Sequence, residues 1–393
     1  MKNVLAFGFA FALLVKLGAQ QSATPVVMGE NHFIASKILE ETRQIQIHLP
    51  ENYDKSNDEY PVLYLLDGQR FFGHAVGLGN TFAQFRLAPD FITVGINTSY
   101  PKRFTDFSRD ADKFIDFMKT ELLPYVQNNF RTTDEKLFFG WEYGGSLGFQ
   151  LILADSVGFN GYLLASPFPI KENVDRLGHD NVSNTSLYFS VSPDEYEVNH
   201  GTEKLDSLLS TKKLQNLEWN YAKLLNEEHR STGYTTLYHG LRHYFKYYPE
   251  FQEDNLQKFL NAGGLAYAYN HTKERGRRYG LSDELSTWSM YTIIRSAIRA
   301  NDYNHFQKFT AEFVTDEFIR ELKNRALDIS SFYSKHRQFN EAIAIYELLL
   351  LDYPDSERLL RLMGETYEEK GQNREAAKYF KRAAHIASKS KDR

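Results

Sequence analysis

The 393-residue chain contains no cysteine. That excludes disulfides, thiolate metal sites and lipid attachment through a cysteine. Long basic runs are missing too. The 46 Lys and Arg stand against 51 Asp and Glu, a formal net charge of −5, so the electrostatic footprint of a nucleic-acid binder is lacking. No metal-ligand spacing, phosphate loop or nucleotide fingerprint occurs, and no cofactor or metal is expected. The apolar run from Val4 to Val15 is too short to span a bilayer, so no membrane span is expected once a leader is removed.

What is present begins with that run. Met1-Lys2-Asn3, the apolar core and Leu17-Gly18-Ala19 have the order of a secretory signal, here residues 1–19. Export without disulfides fits a bacterial periplasm or secretion from such a cell. The 30 Phe and 25 Tyr predict aromatic-rich cores.

At this length two domains can each bury a core. From residue 33 to about 245, strand-like and helix-like segments alternate. Gln44–Leu49 alternates apolar and polar residues, as a half-buried strand does. Val62–Leu66, Phe91–Ile96, Leu137–Phe139, Tyr162–Ala165, Leu187–Ser192 and Leu217–Leu224 read as further strands. Phe114, Met118, Leu122 and Tyr125 fall at helical spacing. Strand, crossover and strand in series predict a mostly parallel sheet covered by helices, here over residues 20–250. After Tyr248 the period becomes helical, predicting an all-α part over 251–393. Tyr333, Ala342 and Tyr346 recur as Tyr367, Ala376 and Phe380, Glu341 recurs as Glu375, and Pro354 and Gly364 sit at repeat-like places. This spacing predicts tetratricopeptide-like helix pairs, clearest at 323–386, stacked on helices from Leu281 to Phe313.

The most informative stretch is Lys136-Leu-Phe-Phe-Gly-Trp-Glu-Tyr-Gly-Gly145. A strand running into Gly-x-x-x-Gly and then a helix is the pattern of a nucleophile elbow, whose central residue is normally serine. Here that residue is Glu142. Ser146 lies a full turn further down the helix and cannot stand in.

Ser36–Arg43, His48-Leu-Pro-Glu-Asn-Tyr53, Tyr60-Pro-Val-Leu-Tyr-Leu-Leu-Asp-Gly68, the elbow, Glu228-His-Arg-Ser231 and Gly240-Leu-Arg242 together resemble the esterase family that includes esterase D, enterochelin esterases and feruloyl esterases. The resemblance runs over roughly 33 to 245 and implies an α/β-hydrolase fold with chain order nucleophile, acid, histidine. It places the nucleophile position on Glu142 and the histidine on His229. The acid falls on Asp194 or Glu195, two registers being open, with Glu195 slightly favoured. The oxyanion-hole amides fall on Gln69 and Tyr143. Arg103 and Asp106 lie in the loop after Phe91–Ile96, where substrate-facing residues occur, but a surface ion pair is the favoured reading.

A glutamate at the elbow is ionised without help, yet attack on an ester carbonyl would form a reactive mixed anhydride. Its charge is expected to block the two amides or to pair with His229. Two classes of function follow. One is an exported hydrolase acting on an ester or related C–O bond through a carboxylate. The other is a non-hydrolytic pseudo-esterase holding a small ester-like ligand, with the helical repeats contacting a protein or peptide partner.

Overall fold

The computed structural model describes residues 24–154, 157–178, 184–212, 214 and 216–391. The signal-like residues 1–19 lie outside them. Eight strands form one sheet: β1 Glu30–Ser36, β2 Glu41–His48, β3 Tyr60–Leu66, β4 Ile92–Ile96, β5 Thr132–Trp141, β6 Gly161–Ala165, β7 Thr185–Val191 and β8 Leu217–Lys223. Their spatial order is β1-β2-β4-β3-β5-β6-β7-β8. β1 and β2 pair antiparallel, as do β2 and β4. From β4 through β3 to β8 all pairs are parallel.

The burial of each strand follows its composition. β3, β6 and β7 are buried along their whole length, which is why they read as unbroken apolar runs. β2 lies nearer the edge and buries alternate residues, Arg43, Ile45 and Ile47. In β3 the alternation divides two cores: Val62, Tyr64 and Leu66 pack on one face of the sheet, Leu63 and Leu65 on the other. The expected helix over Phe114–Tyr125 is there but irregular, with a π-helical turn at Met118–Leu122 between Ala111–Phe117 and Leu123–Asn129. β1 pairs along its length with β2, an antiparallel hairpin that the sequence pattern did not signal.

Beyond Phe251 a separate apolar core is built from helices only. Helices Ala326–Lys335 and Phe339–Asp352 form one consecutive pair, Glu357–Glu369 and Asn373–Lys391 the next. Ala342 and Ala376, the small residues matched at 34-residue spacing, are both buried. Gly364 is needed because a Cβ there would stand 2.6 Å from the Phe380 ring. Helix Tyr303–Phe313 packs beneath, with Phe306 and Phe332 centroids 4.6 Å apart and Tyr333 donating to Thr310 at 2.9 Å. Polar contacts tie this part to the sheet. Glu218 of β8 accepts from Lys246 and, at 3.3 Å, from Arg278. Among the described residues no helix is long and apolar enough to cross a membrane.

Candidate functional site

The site sits where the parallel strands end, at the turn from β5 into the helix Tyr143–Ala154. Glu142 has φ +55°, a left-handed conformation that costs a non-glycine residue about 1–2 kcal/mol. The flanking sequence pins it there. A Cβ on Gly140 would lie 2.2 Å from the Gly144 carbonyl oxygen, so the hairpin-tight approach admits only glycine. The Glu142 amide donates to Ala165 O at 2.9 Å, and its carbonyl accepts from Ser146 and Phe168. Ser146 is buried and donates its hydroxyl to Pro169 O at 2.6 Å, away from any reacting position.

His229 precedes the helix Thr232–Tyr244. Its Nδ1 is hydrogen-bonded to Oε1 of Glu195, and its backbone carbonyl accepts from Trp141 Nε1 at 3.0 Å. Trp141 also flanks the imidazole, with centroids 4.8 Å apart. Glu195 is buried and fully engaged, since its Oε2 accepts from Ser192 N at 2.7 Å and from Ser166 Oγ at 2.8 Å. Asp194, the other register, is exposed and does not reach His229; its amide donates to Ser192 Oγ. The bond to Glu195 holds the His229 pKa above its ordinary value against the opposing effect of burial, with the Glu142 charge adding and the Arg103 charge subtracting.

The Glu142 carboxylate meets the expectation in part: it faces His229 at ion-pair distance and helps raise its pKa, but its hydrogen bond goes elsewhere. Oε1 stands 4.0 Å from His229 Nε2, beyond hydrogen-bond reach, while Oε2 accepts from Arg103 Nη1 at 2.8 Å. The amides of Gln69 and Tyr143, at the starts of helices Gly68–Gln84 and Tyr143–Ala154, have no partner among the described residues. So the carboxylate accepts a hydrogen bond from neither.

Arg103 and Asp106 correct the surface-pair expectation. They do not pair with each other, and neither is on the surface. Arg103 grips Asp67 through Nε at 2.8 and 3.0 Å and Nη2 at 2.9 Å, and donates to Trp141 O at 3.0 Å. Asp67 is fully buried and also accepts from Thr98 Oγ1 at 2.6 Å. Burial works against the Arg103 charge, but Asp67 and then Glu142 outweigh it and raise the guanidinium pKa. Asp106, also buried, binds Arg43 at 2.6 Å and Lys102 at 2.7 Å. The loop after β4 folds back onto the elbow, which brings these side chains inward. A sequence signal for this was available in Asp67 itself: an acid closing a wholly apolar strand needs a cation.

Gln69, Arg70, Thr98, Tyr100, Arg103, Phe104, Trp141, Glu142 and Tyr143 line a cleft of about 530 Å³. The Gln69 side chain closes one wall by bonding the amide and hydroxyl of Thr98. The Arg70 guanidinium lies over the Trp141 ring at 5.2 Å. The site thus brings together a buried acid, a histidine bonded to it, two amides at helix starts and a carboxylate paired with an arginine.

Residues 36–170 match the family described as "Putative esterase". The chain carries an esterase-like fold. A stretch of 119 residues is 25% identical to the uncharacterized protein YbbA of Bacillus subtilis (strain 168), spanning 27% of this chain and 47% of that protein, less than half its length. Among solved structures, an IroE-like serine hydrolase from Shewanella oneidensis is 23% identical, with a TM-score of 0.52 over 72% of this chain and 98% of its own. An uncharacterised protein from Capnocytophaga ochracea DSM 7271 is 16% identical, with a TM-score of 0.55 over 81% of this chain and 92% of its own. These structural likenesses concern the esterase-like fold, not the reaction.

Proposed function

We propose that this chain is a non-hydrolytic pseudo-esterase that binds a small ester-like ligand in the cleft beside Glu142. The observation that carries the reading is the elbow residue itself. A carboxylate has no proton for His229 to remove, and its Oε2 charge is committed to Arg103. Attack on an ester through the other oxygen, Oε1, would still end in a reactive mixed anhydride. The vacant amides of Gln69 and Tyr143 still offer donors to a carbonyl oxygen, so binding outlives the chemistry. The proposal extends to the rest of the chain: export to the periplasm or medium, and tetratricopeptide-like helix pairs that hold a protein or peptide partner.

The retained His229–Glu195 pair favours a second reading, an altered hydrolase working through Glu142. Hydrolysis of p-nitrophenyl acetate separates the two. On the binding reading, wild type gives no more turnover than His229→Ala, and Glu142→Ser gains turnover because it supplies a proton-bearing nucleophile. Triad members act as a unit, so the gain is expected at the low end of esterase rates. Wild-type turnover that Glu142→Gln abolishes would overturn the binding reading and establish carboxylate chemistry.

A further inference from the structure

Glutamate is long enough, and charged enough, to seek the best donor within its reach. Besides Arg103 the site offers His229 Nε2, 4.0 Å from Oε1, and the amides of Gln69 and Tyr143, which share the cleft lining with Glu142. That the carboxylate takes neither needs a cause, and the geometry around Arg103 supplies one. Its guanidinium is held by several contacts. Nε and Nη2 donate to Asp67, Nη2 also to Trp141 O, and Cζ lies over the rings of Phe107 at 5.5 Å and Trp141 at 5.2 Å. The segment that carries it is pinned in turn, because the neighbouring Lys102 and Asp106 bind one another and Asp106 binds Arg43 of β2. Only Nη1 is left over, and it points at Glu142. A fixed fork that already holds one carboxylate therefore dictates where the second must lie.

We infer that Arg103 is a positioning residue that holds the Glu142 carboxylate off His229 and off the amides of Gln69 and Tyr143, keeping the oxyanion pocket open to a ligand. The inference rests on the binding reading for its functional meaning, but its geometry can be tested separately. The charged groups facing His229 are Glu195 from the turn after β7, Glu142 from the elbow and Arg103 from the loop after β4. Glu195 is held by its own bonds, so a change in the His229 titration reports on the other two.

The test is an NMR titration of the His229 imidazole in the full chain. Arg103→Lys keeps a cation in place but cannot hold two carboxylates with one fork. Glu142 is then free to approach Nε2, and the His229 midpoint is expected to rise. Because the charge is retained, such a rise cannot come from lost repulsion. The same substitution in a Glu142→Gln background should leave the midpoint unmoved. A midpoint that stays put in Arg103→Lys, or that moves equally in both backgrounds, overturns the inference. Should the lysine variant not fold, Arg103→Gln with Asp67→Asn strands no buried charge. It should raise the midpoint more with Glu142 present than with Glu142→Gln, and equal rises overturn the proposal. Ester turnover by wild type would defeat the binding reading while leaving this titration result intact.

Discussion

Replacing Arg103 with methionine separates a buried structural pair from the surface pair suggested by sequence. An exposed ion pair contributes about 0–1 kcal/mol. Here Arg103→Met would leave Asp67, which has no exposed surface, with Thr98 as its remaining side-chain partner. Losing one member of a buried pair costs about 3–5 kcal/mol, because the other charge stays desolvated and uncompensated. Against a total stability of about 5–15 kcal/mol, that is a large fraction. The Glu142 contact adds less, since its side chain keeps a quarter of its exposure and can turn to water. Asp67→Asn in the same chain removes the stranded charge, so the double variant should be markedly more stable than Arg103→Met alone. The coupling from the four-chain cycle should fall at about 2–3 kcal/mol. Urea unfolding followed by tryptophan fluorescence measures it, with Trp141 at the site and Trp219 in β8 reporting on the sheet. A cost below about 1 kcal/mol for Arg103→Met, or additive single effects, would refute the argument.

Three further outcomes are expected. Burial, helped by the Arg278 charge, pushes the His243 pKa down to about 4, and its Nε2 has no hydrogen-bond partner among the described residues. The unfolded chain binds this proton near pH 6.5, so the stability is fully present above that pH and is lost between 6.5 and 4, by about 3 kcal/mol in all. In urea titrations at stepped pH, His243→Gln should flatten this acid limb, and an unchanged limb would show that the imidazole does not govern it. The proposed export predicts that intact mass of the exported protein gives a chain starting near Gln20, and the proposed partner-binding role that this chain retains a polypeptide from envelope extracts; a full-length cytoplasmic product sinks the first, and a bare chain the second.

The strands of the sheet were legible because burial on both faces writes itself as an apolar run. The elbow was legible because the close backbone approach at Gly140 demands glycine, with a second glycine, Gly144, at the spacing of an elbow. β1 was not, being an edge strand whose exposed residues carry no such pattern. His229 and Glu195 are 34 residues apart, and no local pattern joins them; the family resemblance supplied the pairing as one of two registers. The turn in which the Glu195 amide meets Ser192 O aims Glu195 inward and Asp194 at solvent, a difference of one residue that composition does not encode.

Arg103 was the hardest to see, since its partners lie 36 and 39 residues away on different elements. Its attachment to Asp67 does not depend on what occupies the elbow: the buried acid ending β3 requires a cation whether or not position 142 is charged. That independence explains how a glutamate is tolerated beside the amides of Gln69 and Tyr143. The Glu142 charge meets a guanidinium already held by Asp67 with one donor to spare, and is compensated there. The acid, the histidine and the amides keep their places because the cost of the extra carboxylate falls on Arg103 and not on them.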